Sequence, residues 1–498
     1  MTFWWTVVAV LAAVMMLGIV VVVVAKPLMR ALVKALTPAL GEGVSRAMGN
    51  TSQAYSKNPL GLVPVMEKLT PLGLIETRIR AETGMPPSRP LGSPIHFSPW
   101  DQLLLMFANV DPLPTADAEP VSLNVRIGPQ AARPLTLESP VLISAMSYGG
   151  AVSLRARQAL AQASAVIGTA TNSGEGVYIP EERQLAKHYV IQYHRGTWPT
   201  SPQYNWDQLK QADAIEIQLS QGAQGAAPMK DRPQNIHPEM RRRFGLEAHE
   251  EAVIAARLDG VDAPDDLISL VQKLKERFPV PVGIKFAATN QLEREVPLYL
   301  SAGVDFLTID GAEGGTHGGP PVLQDAMGLP TLWAIARTRR VLEEHGVYRD
   351  VSLIAAGGLT EPGHFLKAMA LGATACYSAS AIVMALLSDQ LDRAVMAMAP
   401  PYALLLQNTQ GLNDDLDTDR STQNVVNLFQ AWHTEFDLAL RAMGKTTITQ
   451  VATDDLVARS LELAESLGLA YVGGPDPEGS RVVFAHKSHA QQPEHRLH

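Results

Sequence analysis

The chain has one cysteine, Cys376, among 498 residues. That scarcity excludes an internal disulfide framework, and any iron–sulfur cluster or zinc site built from several thiolates of this chain. Charge is sparse too: Asp, Glu, Lys and Arg make up 18%, and 50 acids against 41 bases leave a net charge of -9. No basic footprint for nucleic acid is present. There is no internal repeat and no G-x-G-x-x-G turn opening a helix, so no nicotinamide-binding domain is legible. What the chain does have is 46% hydrophobic residues with 38 Gly and 35 Pro spread along it. Such a composition buries a core and leaves the disordered regime, and the length exceeds that of a lone binding module.

One stretch lacks charge altogether. Residues 3–25 are almost entirely apolar, and at about 1.5 Å per residue they match the ~30 Å hydrocarbon core of a bilayer. A cleaved signal peptide would carry basic residues before its apolar run, whereas the first charged side chain here is Lys26. The stretch therefore reads as a single-pass transmembrane anchor. Lys26, Arg30 and Lys34 follow it, which predicts a cell-membrane protein with its C-terminal part in the cytoplasm. Residues 26–138 read as a linker and N-terminal extension, broken by prolines and ending in a hairpin of the runs 121–127 and 134–137.

Beyond this the texture changes to short apolar runs alternating with helical patterns. The runs are 141–146, 166–172, 190–195, 214–220, 282–287, 306–311, 351–357 and 373–378. Eight such runs predict an α/β fold of the (β/α)8 TIM-barrel type rather than an open doubly wound sheet. Helical patterns at 381–398, 422–442 and 453–467 form a C-terminal cap, and residues 473–498 read as a disordered tail.

In such a barrel the C-terminal strand ends build the site, with phosphate bound between the last two loops. Those loops contain Gly357 and Gly358, then Ser378, Ala379 and Ser380, each before a helix whose N-terminus favours an anion. The alternative is that both are ordinary tight turns. Lys285, in VGIKFA, is a cation inside an apolar strand and needs either a structural acid or an anionic ligand. The loop DGAEGGTHGGPP (310–321) offers glycine backbone to a flat ligand, and His317 within it is a candidate for proton transfer.

The segments ISAMSYGG (143–150), TNSGEG (171–176), IEIQLSQGAQG (215–225), GIKFA (283–287), DGAEGGTHGGPP and AAGGL (355–359) together resemble, in order and spacing, the FMN-binding synthase domain of glutamate synthase. The resemblance covers about residues 139–409, with the helical cap continuing over 410–472, and is closest to free-standing, membrane-anchored members of that family. It implies FMN as cofactor, with Ala145, Met146, Ser147, Asn172, Gln221 and Lys285 against the ring. It implies Gly314, Gly315, Thr316, Gly357, Gly358, Ala379 and Ser380 around the phosphate. Glu175, Lys285 and His317 become the catalytic candidates, and Glu175, Gln218 and one of Arg241, Arg242 and Arg243 the substrate-binding ones.

Departures from the family limit this inheritance. No glutaminase precedes the barrel, no cluster cysteines follow the eighth strand, and Gln218 replaces a lysine that helps hold 2-oxoglutarate in the family. The expectation is a membrane-tethered FMN oxidoreductase without an iron–sulfur cluster. It would act on a small amino or imino acid and exchange electrons with a separate partner. The competing reading is a non-catalytic flavin-binding or scaffold protein on the same fold.

Overall fold

The computed structural model describes residues 68–316, 318–396, 400–407, 414 and 416–474. The predicted anchor at 3–25, His317 and most of the predicted tail lie outside them. Among the described residues no helix is long and apolar enough to cross a membrane. The chain divides into two units, 1–87 and 88–498. In the first, the helix Pro71–Thr83 starts on the Thr70 side chain, which accepts from Gly73 N, and stops at the left-handed Gly84.

The second unit contains all eight expected strands: β1 (Val141–Ile143), β2 (Ala170–Asn172), β3 (His188–Tyr193), β4 (Ala214–Gln218), β5 (Val282–Ala287), β6 (Phe306–Asp310), β7 (Ser352–Ala356) and β8 (Ala375–Ser378). All pair in parallel, in the order β1-β8-β7-β6-β5-β4-β3-β2. Between β1 and β2 no strand ladder forms. There Glu138 N donates to Gly168 O at 2.9 Å and Thr169 Oγ1 to Val141 O at 2.7 Å, bringing the barrel almost to closure. The strands read as continuous apolar runs because both faces are covered.

Most strands are followed by a helix packed outside: α1 (Leu154–Ile167), α2 (Pro180–Leu185), α3 (Pro238–Phe244), α4 (Pro264–Arg277), α5 (Leu292–Ser301), α6 (Thr331–Glu344), α7 (Pro362–Ala370) and α8 (Ser380–Leu387). After β3 there is only the 3₁₀ helix Trp206–Gln211. The run expected as a strand over 166–172 begins as helix. Ile167 ends α1, Gly168 caps it at φ 78°, and only then does the chain extend into β2.

The predicted hairpin is present as Val125–Ile127 against Leu135–Leu137. The cap needs two corrections. The pattern over 381–398 is split between α8 and a separate helix, Leu391–Met396. The pattern over 422–442 falls in the helix α9 (Thr418–Ala442), whose buried stripe includes Val425, Phe429, Trp432, Phe436 and Leu440. Residues 453–467, by contrast, are not one helix. Thr453–Asp455 is a 3₁₀ turn, Leu456–Ala458 is a strand between Leu103–Leu105 and Ala470–Tyr471, and only Leu461–Leu467 is α-helical. Pairing with the N-terminal extension overrides the local helical period.

Candidate active site

The barrel interior is apolar at its base and polar towards the C-terminal strand ends. At the transition sits Glu216 of β4, a fully buried carboxylate. It accepts from Asn172 Nδ2 at 3.0 Å, Gln192 Nε2 at 2.7 Å and Thr308 Oγ1 at 2.7 Å. Asn172 also donates to Tyr377 OH at 2.9 Å. One carboxylate thus ties five strands together, and multiple donors offset its desolvation.

Above this network Lys285 Nζ lies 3.2 Å from Asp310 Oδ2. Burial opposes its charge, but Asp310, Glu216 and Glu175 together hold its pKa above the usual lysine value. Of the two sequence readings for this lysine, the structural acid is therefore present. Asp310 sits two residues beyond the register partner of Lys285, Thr308, and so on the same face of the sheet. Its other oxygen, Oδ1, is buried with no protein partner.

A cleft opens over these residues at the barrel mouth, enclosing about 1240 Å³ with its solvent-open part included. Ala145, Met146 and Ser147 line it after β1, Glu175 after β2, Gln221 after β4, Gly315 and Thr316 after β6. Gly357 and Gly358 follow β7, and Ala379 and Ser380 follow β8. Among the described residues the backbone amides of Gly358, Ala379 and Ser380 have no protein acceptor. They form a cradle of the kind that holds an anion. Gly358 is at φ 69°, and a Cβ there would lie 2.6 Å from Glu313 Cβ. Glu313 is itself fixed as the cap of α6, accepting from Thr331 N at 2.8 Å and Thr331 Oγ1 at 2.7 Å.

Six expected residues sit elsewhere than the cleft wall. Asn172 lies in the network beneath it, with its amide fully engaged. Gly314 lies behind the wall, where a Cβ would be 2.8 Å from Gly222 Cα. Gln218 is buried with Nε2 3.3 Å from Gln221 Oε1 and with its own Oε1 unpartnered. Arg241 donates to the carbonyls of Pro233, Glu250 and Glu247, which close the 233–250 loop. Arg242 is exposed on α3, and Arg243 pairs with Glu181 at 2.7 Å and Glu239 at 3.0 Å. None of the three arginines lines the cleft.

A second buried cation, Arg195, lies just beyond β3 and behind the cleft-lining Glu175. Arg195 Nη2 donates to Glu175 Oε1 at 2.9 Å, while its Nε and Nη1 are buried without a protein partner. The adjacent His194 donates from Nε2 to Gly176 O at 2.7 Å and accepts from Gly196 N on Nδ1 at 3.0 Å. Burial pushes its pKa down to about 4, so the ring is neutral. Cys376 is buried as expected, and burial alone pushes its thiol far up.

Glu216, Gln192 and Arg195 escaped the sequence reading. Glu216 carries the signal that singled out Lys285, a charge inside an apolar strand run (AIEIQ). Gln192 and Arg195 become visible only once the barrel brings β3 beside β2 and β4.

A (β/α)8 barrel with an anion cradle after β7 and β8 and a buried, charged floor defines a cofactor-binding barrel. The chain belongs to the glutamate synthase family: residues 99–446 match the conserved region in glutamate synthase. Archaeal-type glutamate synthase [NADPH] of Thermotoga neapolitana is 30% identical over 347 residues, covering 69% of this chain and 66% of that protein. The match therefore spans just under two thirds of that relative's length. A glutamate synthase large subunit-like protein of Rhizobium meliloti is 27% identical over 410 residues, covering 78% and 91%. Among solved structures, a mutant flavocytochrome b2 with pyruvate bound has a TM-score of 0.46 at 15% identity, covering 80% of this chain and 84% of that one.

Proposed function

We propose that the chain is an FMN-dependent oxidoreductase that exchanges a hydride with an amino or imino compound. It is held at a membrane by residues 3–25 with its C-terminal part in the cytoplasm, and is served by a separate electron-transfer partner. The observation that carries the cofactor is the pairing, in one cleft, of the amide cradle after β7 and β8 with buried polar atoms lacking a protein partner. Gln192 Oε1 and Asp310 Oδ1 are orphaned acceptors and Gln224 Nε2 an orphaned donor, all on cleft-lining residues. Such atoms persist where a ligand supplies the missing bonds, and a flavin head has both N–H and carbonyl groups.

Bound FMN would supply hydride transfer at its N5 atom. Gly315, Thr316, Gly357, Gly358, Ala379 and Ser380 would hold its phosphate end, and Ala145, Met146, Ser147, Gln192, Gln221 and Lys285 its ring. Lys285, kept protonated by Asp310 and Glu216, presents a fixed positive charge that favours a reduced, anionic ring. Glu175 stands at the substrate side, oriented by Arg195, and holds or moves the proton of the reacting nitrogen. Gln218, buried beneath Gln221, offers an amide where the family has a cation, which lowers the affinity for a dicarboxylate.

Purified full-length protein should be yellow and release the mononucleotide on denaturation. Anaerobic bleaching of that colour by an amino acid would establish turnover. Protein that stays colourless after incubation with FMN would overturn the reading.

A further inference from the structure

Beside the main cleft lies a second cavity of about 380 Å³, its open part included. Ser147, Glu175 and Ile254 line both, so the two spaces are separated by little more than three side chains. The walls of the second are Tyr148, Trp198, Met240 and Phe244, each almost fully buried. Trp198 stacks on Phe244 with ring centroids 4.4 Å apart. An aromatic and thioether lining of this kind recognises apolar groups through area and dispersion.

Two donors in that wall have no protein partner, Tyr148 OH and Trp198 Nε1. Burial pushes the Tyr148 phenol up to about 12, so it keeps its proton. Buried donors of this sort call for an acceptor from an occupant. The charged groups around the space argue against a second carboxylate. Glu175 and Asp231 are acids, and among the described lining residues the only cation is Lys230, mostly exposed and 3.6 Å from Glu251, while Arg195, outside the lining, is paired with Glu175 at 2.9 Å. Arg241, Arg242 and Arg243 are not among them.

We propose that this side chamber receives the side group of the substrate. The substrate is then an amino or imino acid with an aromatic or bulky apolar side group carrying one neutral hydrogen-bond acceptor, rather than a dicarboxylate. This rests on the oxidoreductase reading above and narrows its substrate class. The reacting nitrogen stays at Glu175, on the boundary of the two spaces, while the side group passes Ser147 and Ile254 into the aromatic chamber.

Calorimetric titration of the purified full-length protein with L-tyrosine, L-phenylalanine and L-glutamate tests it without relying on turnover. Tyrosine and phenylalanine should bind at least about tenfold more tightly than glutamate. Trp198→Phe keeps the ring stack but removes a donor, and should weaken L-tyrosine about fivefold while changing L-phenylalanine less than about twofold. Met240→Trp fills the chamber and should abolish binding of both aromatic acids with the flavin content unchanged. If Trp198→Phe is misfolded by circular dichroism, Tyr148→Phe removes the other donor and carries the same expectation. Glutamate binding as tightly as tyrosine, failure of all three to bind, or indifference to Met240→Trp would overturn the proposal. Failure of the cofactor reading is separate: it appears as colourless protein, in which the ranking of the three ligands can still be measured.

Discussion

Two buried arginine–glutamate pairs stand on neighbouring parts of the barrel and differ in one respect. Arg157 of α1 donates to Glu182 through Nε at 2.9 Å and also through Nη2, and from Nη1 to Met146 O and, at 2.8 Å, to Asn172 O. Glu182 accepts further from Tyr189 OH at 3.0 Å. Every polar atom in that cluster has a partner. Arg195 makes one bond to Glu175 and leaves Nε and Nη1 orphaned, and its carboxylate faces open space. Both guanidinium groups are buried, so the difference lies in saturation and in the open space before Glu175. The first pair closes the wall beneath the β1 and β2 loops, while the second keeps valence free for something that is not protein.

The largest expected effect comes from breaking the saturated pair. Arg157→Met leaves Glu182 buried without its cation and should cost about 3–5 kcal/mol in urea unfolding. Replacing both, as Arg157→Met with Glu182→Met, should recover most of that loss, since no buried charge remains. A double variant as unstable as the single one would mean that the bonds to Met146 O and Asn172 O dominate.

The unsaturated pair should respond in chemistry instead. Glu175→Gln keeps an acceptor for Arg195 Nη2 but removes the ionisable group, and should lower turnover about 10²-fold with flavin content and unfolding midpoint near wild type. If stability collapses and rate does not, the assignment of the two pairs is reversed.

Lys285 with Asp310 lies between these extremes, since it is buried but has one orphaned oxygen. Lys285→Met alone strands Asp310, so stability and cofactor effects would mix. Lys285→Met with Asp310→Asn separates them and should lower the flavin potential by about 30–60 mV, equivalent to ~1.4–2.8 kcal/mol for two electrons. An unchanged potential would remove the lysine from the cofactor's surroundings.

Much of this was legible before the fold was known, because parallel strands covered on both faces leave uninterrupted apolar runs. The eight runs from 141 to 378 all became strands, with errors confined to ends such as 166–169, where a helix cap precedes the strand. The stretch 453–467 misled, since its partner strand Leu103–Leu105 lies some 350 residues away in sequence. In the site, the small residues singled out at the strand ends, Gly357, Gly358, Ala379 and Ser380, all line the cleft. The arginines of α3 could not be placed, because helix position alone does not tell which loop carbonyls a guanidinium will meet. Nor could Arg195 and Glu175 be paired, as they join only when β2 and β3 align in parallel.

The last expected effect appears only as pH falls, and it concerns His194, next to the unsaturated pair. Its pKa falls to about 4 in the folded chain because burial penalises the imidazolium, against about 6.5 when unfolded. Between those values the unfolded chain takes a proton that the folded chain refuses, so stability is full above about pH 6.5 and is lost as pH falls towards 4. The slope is at most about 1.4 kcal/mol per pH unit from this group. Urea midpoints measured from pH 7 to 4 should therefore decline, and His194→Asn should flatten part of that decline while lowering stability at pH 7. The imidazole bridges Gly176 O and Gly196 N, so it couples the β2 loop that carries Glu175 to the end of β3 that carries Arg195. A decline unchanged by His194→Asn would assign the acid sensitivity to the carboxylates instead, and would separate the histidine from the pair it adjoins.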